Sequence, residues 1–238
     1  MMNSPICKML DIEFPLLAFS HCRDVVAAVS QAGGMGVFGA VGLGPDRLRE
    51  ELDWIDAHAG GKPYGLDLIV PNKFAGKGEK VDPGKIAASI PDTHTDFVND
   101  LLADHNIDSE GVVESRGISS NFARNLTEAG AGTSLEAGFE YPIKLVANAL
   151  GVPPQVMLDM GKQHDVPVAA LVGAKEHAVA QVEAGVDILV VAGGEAGGHC
   201  GDVSTMVLIP EVARAVREMG ADTPILAAGG ITTGEQMA

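Results

Sequence analysis

Cysteine is scarce in this chain, and the three that occur, Cys7, Cys22 and Cys200, lie far apart in the sequence. Their small number and the lack of a CxxC pair exclude a disulfide framework and a cysteine-based zinc site. Aromatic residues make up only 4% of the chain, and its apolar runs are of strand length. None approaches the roughly 20 residues that a membrane helix needs. We therefore expect a cytoplasmic protein with no membrane partner.

Positive charge is the second shortage. The chain has 16 Lys and Arg against 32 Asp and Glu, which gives a formal net charge of −16. Such a surface repels nucleic acid and anionic lipid, so neither is expected as a partner, and an anionic ligand would have to be held by backbone amides. With 46% hydrophobic residues the chain is not disordered as a whole, and residues 1–238 are expected to form a single domain.

Short aliphatic runs alternate with helical stretches along most of the chain. Strands that are apolar on both faces and joined by helices are parallel strands, so a doubly wound sheet and a TIM-type (β/α)8 barrel both fit. The glycines of residues 32–42 interrupt a strand, whereas later glycine clusters follow strands, as the phosphate-binding loops of barrels do. This favours the barrel. The seven predicted strands cover 14–20, 36–42, 64–71, 143–151, 167–173, 187–193 and 224–230.

Residues 72–141 break the alternation. They predict an irregular, partly helical insertion after the third strand, with a helix over 96–105, and we interpret the segment as a lid. At roughly 31 residues per βα unit, the remaining length predicts an incomplete barrel of about seven strands that lacks the eighth. The lysines at 73, 77, 80 and 85 belong to a solvated loop or to a lid that recognises an anionic substrate such as a CoA thioester.

The segment AGGEAGGHCG (192–201) directly follows a strongly apolar strand. Glycines at the carboxyl end of a strand let the backbone approach a flat or charged ligand and offer unshielded amides. His199 would project into the barrel mouth with a side chain that titrates near neutral pH. The alternative is an ordinary loop with a solvated histidine, but the whole pattern favours a site.

This pattern resembles the nitronate monooxygenase family, also called 2-nitropropane dioxygenases, which are FMN enzymes with a TIM barrel. The family's E-A-G-G-H signature matches residues 195–199, and its A-G-G-I turn matches residues 228–231. The resemblance implies that His199 is the general base that takes the acidic α-proton of a nitroalkane, or that it orients the nitronate. It implies further that the amides of Gly229 and Gly230 and the following helix N-terminus hold the FMN phosphate. The residues that would lie close to the flavin are Gly193, Gly194, Gly197 and Gly198.

Three stretches depart from the family pattern. The family's first strand carries a Pro-Met pair beside the flavin, where this chain has Ala18, Phe19, Ser20 and His21. We assign the first two to the cofactor and the last two to the substrate, with helix capping as the alternative for the latter pair. The third strand has Asp67 where the family has Asn; a lone buried carboxylate is costly, so Asp67 must be paired or face the barrel mouth near the flavin. The family's G-T pair after strand eight has no counterpart.

Three functions stay open at this point. The first is an FMN-dependent nitronate monooxygenase that uses O2 and a small-molecule substrate. The second is an FMN-dependent enoyl-thioester reductase acting on an acyl-carrier or CoA thioester, and the third is a truncated, non-catalytic barrel that acts as an association module. Homo-oligomer formation is compatible with each. Glu195 is interpreted as structural, and Cys200 as inert. No metal is assigned to the histidines at 58, 94, 105, 164 and 177.

Overall fold

The structure, a computed structural model, describes residues 4–70, 89–107, 128–198 and 200–237. Within these residues one parallel sheet contains β1 (Leu17–Ser20), β2 (Met35–Gly39), β3 (Tyr64–Leu68), β4 (Leu145–Asn148), β5 (Val168–Val172), β6 (Ile188–Ala192) and β7 (Ile225–Ala228). The helices are α1 (Pro5–Leu10), α2 (Arg23–Gln31), α3 (Pro45–His58), α4 (Asp92–Asp104), α5 (Glu128–Phe139), α6 (Gln155–His164), α7 (Lys175–Ala184), α8 (Thr205–Glu218) and α9 (Gly234–Met237). All seven predicted strands are confirmed.

The strands pair in chain order, each parallel to the next. Leu17 of β1 lies opposite Met35 of β2, and Ala192 of β6 lies opposite Ala228 of β7. In the described part of the chain, β1 and β7 each pair along one side only, and no eighth strand lies between them. The architecture is therefore a seven-stranded half-barrel of the TIM type, as the sequence predicts.

The two faces of the sheet bury different partners because side chains alternate along each strand. Residues such as Phe38 and Leu66 pack against the surrounding helices. The opposite, concave face carries Met35 and Leu145, and these pack with Leu10 of α1. Helix α1, which the sequence analysis missed, thus fills the concave face near the amino ends of the strands.

Helix α3 buries one stripe of its surface, since Leu48, Leu52 and Ile55 are fully buried. Helix α8 begins at Thr205, and Pro210 lies inside the helix. Met219 is its C-cap residue and is 38% exposed, because the helical stripe has ended by that position.

The predicted insertion is only partly described. Helix α4 covers Asp92–Asp104, close to the predicted helix over 96–105, and buries none of its residues. Helix α5 is different, since Ala131, Leu135 and Phe139 belong to the helix-side core. The four lysines at 73, 77, 80 and 85 lie outside the described residues, and the lid role of 72–141 stays a prediction. Among the helices that are described, none is long and apolar enough to cross a membrane.

Candidate active site

The loop after β6 folds back tightly onto the start of α8. A Cβ atom at Gly193 would collide with the backbone nitrogen of Thr205, so this close approach requires glycine. The amide of Gly194 donates to the carbonyl oxygen of Val203 over 2.9 Å. The glycines at these two positions therefore shape the loop, in addition to any contact they make with a ligand.

Glu195 satisfies the first turn of α8. Its Oε2 accepts hydrogen bonds from the Thr205 backbone N–H at 2.8 Å and from Thr205 Oγ1 at 2.9 Å. The hydrogen bond from the Thr205 backbone holds the pKa of the Glu195 carboxyl below its ordinary value. The structural interpretation of Glu195 is confirmed, and its carboxylate lies at the α8 N-terminus, where a negative charge is favourable.

The loop after β7 lies directly against the loop after β6. The amide of Gly193 donates to the carbonyl oxygen of Ala228 over 3.2 Å, and Thr205 Oγ1 donates to the same oxygen over 3.3 Å. Gly229 and Gly230 have φ angles of +108° and +77°, a region that favours glycine. No hydrogen bond among the described residues uses the amides of these two glycines. They are therefore available to an anion.

The start of α9 is capped by side chains of its own. Gln236 Oε1 accepts hydrogen bonds from the amides of Thr232 at 2.7 Å and Thr233 at 3.1 Å, and the Gln236 amide donates to Thr233 Oγ1. This is a capping box, in which side chains satisfy the first amides of a helix. The capping box pairs the amides of Thr233 and Gln236. No hydrogen bond among the described residues uses the amides of Gly234 and Glu235. The role of this helix N-terminus at the phosphate stays a prediction.

The middle of the β6 loop is open. A Cβ at Gly197 or Gly198 would meet no atom within 4 Å, and both residues are exposed. His199, the predicted general base, lies outside the described residues. Cys200 is exposed, and its thiol donates to the carbonyl oxygen of Gly194 at 3.7 Å; the expectation that it is inert stays a prediction.

The carboxyl end of β1 contributes Phe19 and His21. Leu17 packs on the concave face, and by alternation Phe19 shares that face while Ala18 lies on the other. The rings of Phe19 and His21 make an edge-to-face pair with centroids 5.0 Å apart, and both lie over Gly39, which has no side chain to exclude them. His21 Nδ1 lies 2.8 Å from the Gly39 carbonyl oxygen. Ser20 Oγ accepts from the Cys22 amide, next to the α2 N-cap.

Asp67 lies in the middle of the concave face near the carboxyl end of β3. Its neighbours across the sheet are Gly39 on β2 and Ala147 on β4, so no long side chain flanks it. The residue is 6% exposed, and its Oδ1 has no hydrogen-bond partner among the described residues. Burial raises the pKa of Asp67 to about 8. At neutral pH the group is therefore mostly a neutral acid that can donate its proton in a hydrogen bond.

Two buried amide side chains were missed by the sequence analysis. Asn148 ends β4 and Gln181 lies within α7, and each is almost fully buried. Asn148 Oδ1 accepts from the Val70 amide at 2.9 Å. The position of Asn148 at the end of the apolar run LVAN was a usable signal, because a polar residue there faces the loops. Among the described residues no cluster of three or more potential metal ligands occurs.

Comparison with known proteins assigns this geometry to one family. The model of the nitronate monooxygenase family matches residues 3–238. The chain is 46% identical over 238 residues to "Putative monooxygenase Rv1533" of Mycobacterium tuberculosis, covering 100% of this chain and 62% of that protein. It is 26% identical over 249 residues to "Probable nitronate monooxygenase" of Staphylococcus saprophyticus, covering 98% of this chain and 62% of the relative. The chain thus spans about three fifths of the length of these relatives.

Solved structures agree on the fold. FabK (M276A) from Thermotoga maritima superposes with a TM-score of 0.68 at 24% identity, over 99% of this chain and 60% of that one. Nitroalkane oxidase from Streptomyces ansochromogenes gives 0.66 at 22% identity, over 98% of this chain and 62% of that one. At this level of identity the likeness establishes the barrel architecture alone.

Proposed function

This chain belongs to the nitronate monooxygenase family, and on that premise we propose that it is an FMN-dependent oxidoreductase that oxidises nitronates or nitroalkanes with O2. One observation carries the proposal. The loops after β6 and β7 lie against each other at the carboxyl edge of the sheet, joined by the hydrogen bond from Gly193 to Ala228. Ligands of barrel enzymes bind at this edge, and phosphate groups bind at the late loops.

The residues present fit FMN. The amides of Gly229 and Gly230 would hold the phosphate, since both lack partners among the described residues. The open backbone at Gly197 and Gly198 has room for a flat ring system. Asp67 would pair its unsatisfied oxygen or its proton with a polar edge of that ring system. When bound, FMN supplies the electron transfer and oxygen chemistry that no side chain provides.

The chain's own residues would manage protons and orientation. His199 would remove the α-proton of a nitroalkane, because an imidazole titrates near the working pH. Phe19 would lie beside the flavin and His21 would form one wall for the substrate, since both lie exposed at the carboxyl end of β1 and Phe19 is 56% exposed. The contact of His21 Nδ1 with the Gly39 carbonyl oxygen fixes the ring orientation.

Flavin binding is the first test. The purified chain is titrated with FMN and, as a matched control, with riboflavin, which lacks the phosphate. We expect FMN to co-elute with the protein on gel filtration and to bind more tightly than riboflavin, because only FMN uses the amides of Gly229 and Gly230. Protein that takes up neither flavin would contradict the proposal and would favour a non-catalytic barrel.

The reaction is tested on the FMN-loaded protein. Oxygen consumption with 2-nitropropane, reduced by on the order of 10²-fold or more in His199→Ala, is the expected result. Propane-2-nitronate has already lost the α-proton, so the loss with that substrate should be smaller. Rapid bleaching of the bound flavin by NADPH, with no oxygen consumption on nitronate, would overturn the proposal in favour of the enoyl-thioester reductase. His94→Ala serves as the control, because this exposed α4 histidine is assigned no role in the site.

A further inference from the structure

A cavity of about 370 Å³ lies between α7 and the loops that follow β4, β5 and β6. Its walls are mainly apolar, and they include Leu150, Val152, Leu171, Ala180 and Ala192. Ala192 is followed directly by Gly193 of the β6 loop. The cavity therefore adjoins the candidate active site while being built mostly from residues that the proposed function does not use.

Gln181 adds one polar group to this apolar wall. Its side chain is only 1% exposed, and its Nε2 donates to the carbonyl oxygen of Gly151 over 3.0 Å. Its Oε1 has no hydrogen-bond partner in the part of the chain that the structure describes. Reversing the amide would place two acceptors against each other, so the free atom is the oxygen. A buried acceptor without a partner costs about 1–3 kcal/mol, which a ligand donor can recover.

The wall that carries Gln181 is held in place before any ligand binds. Asn148 Nδ2 donates to the carbonyl oxygens of Leu150 at 3.0 Å and Gly151 at 3.1 Å. Gly151 O thus accepts from both buried amide side chains. A preformed cavity binds without first ordering its walls, which favours affinity.

We infer that this cavity binds an apolar chain bearing an amide N–H or a hydroxyl, which donates its hydrogen to Gln181 Oε1. The identification of this molecule as part of the enzyme's substrate rests on the proposed function. The binding itself does not, because no residue assigned to FMN donates to or accepts from Gln181. Nitronates and nitroalkanes that carry only the nitro group have no such donor, so the inference selects substrates with a second polar group along an apolar chain.

The test compares two probes of the same size, hexanamide and methyl pentanoate. Both carry a carbonyl group and a short apolar chain, but only the amide has an N–H. We expect hexanamide to bind about 5- to 150-fold more tightly, the range that corresponds to recovering one buried acceptor. Titration followed by amide NMR gives the affinity, and shifts at Gly151 and Gly173 locate the site. Equal affinities, or no binding of either probe, would overturn the inference.

Three variants localise the effect. Gln181→Met removes the acceptor, and the preference for hexanamide should disappear. Ala180→Leu fills the cavity and leaves Gln181 intact, so both probes should lose binding even if the first variant folds poorly. Val179→Leu adds bulk at a neighbouring α7 position outside the cavity and should change neither affinity. Hexanamide binding that survives Ala180→Leu would refute the location. Each titration is repeated with FMN present, so loss of flavin binding and loss of amide binding are scored separately.

Discussion

The buried carboxyl of Asp67 makes the stability of this protein fall as the pH rises. Burial raises the pKa of Asp67 from an ordinary 3.8 to about 8 in the folded chain. Between these values the folded state holds a proton that the unfolded state has released, so the free energy of unfolding decreases with pH. The slope is roughly 1.4 kcal/mol per pH unit for one proton, which amounts to about 2–3 kcal/mol between pH 5 and pH 7.

Asp67→Asn isolates this contribution, because asparagine has nearly the same shape and does not titrate. Urea unfolding of the flavin-free protein at pH 5, 6, 7 and 8 gives the free energies, with circular dichroism and the fluorescence of the single tryptophan, Trp54, as independent probes. The variant should gain about 2–3 kcal/mol over the wild type between pH 5 and pH 7. Parallel pH profiles for the two proteins would refute the reasoning, since Asp67 would then titrate like a solvated acid.

Glu195→Gln is the control of opposite sign. Hydrogen bonds from Thr205 lower the pKa of Glu195, so its stabilising contribution is present above the unfolded pKa and is lost as the pH falls below it. The difference between this variant and the wild type should therefore change mainly below pH 5. A change between pH 6 and pH 8 would show that the assay reports general charge repulsion in this −16 chain.

Two further predictions concern the glycine turn after β7: the effect of substituting Gly229, and the salt dependence of FMN binding. Gly229→Ala should lower the free energy of unfolding by roughly 1–3 kcal/mol and weaken FMN binding, because φ is +108° and the new Cβ would lie 2.6 Å from Thr205 Oγ1. In the control Gly234→Ala the new Cβ would meet no atom within 4 Å, so neither the free energy of unfolding nor the FMN affinity should change. Equal losses of stability and of FMN affinity in the two variants, measured by thermal unfolding and by titration, would contradict this prediction. FMN affinity should also hold or increase from 20 to 500 mM salt, because screening weakens repulsion by the acidic chain; a fall would indicate Lys or Arg at the phosphate.

The strands were predictable because a strand that is buried on both faces consists of a short, uninterrupted run of apolar residues in the sequence. The run ILVVA of β6 is apolar throughout, and the glycines that follow it mark the loop. Helix α1 was missed for a different reason. Its six residues are too few for a clear helical period, and Ile6, Cys7 and Leu10 are buried by strands that come much later in the chain. Only Pro5, at the first helical position after Ser4, marked its start.

The site was predictable where glycine marks a close approach, as at Gly193 and Gly229, since few other roles explain glycine directly after a buried strand. The state of Asp67 was not predictable to the same depth. Its burial follows from the apolar strand. The lack of a hydrogen-bond partner depends on the sheet register, which places Gly39 and Ala147 beside Asp67, and neither has a polar side chain. Gln181 gave no signal, because a glutamine in a helix is ordinarily solvated, and only the contact with Gly151 identifies it as buried structure.

The distribution of hydrogen-bond donors explains how an acidic chain could select an anion at one point. Two helix N-termini lie near the glycine loops, and at each a side chain of the chain itself pairs a backbone amide, Glu195 that of Thr205 at α8 and Gln236 that of Thr233 at α9. The amides of Gly229 and Gly230 are left without a partner among the described residues. Because neutral amides attract an anion only at hydrogen-bond distance, the repulsion of the remaining surface is overcome only by a ligand that fits the turn. A phosphate on a flat, mostly neutral molecule meets that requirement, whereas a polyanion such as nucleic acid does not.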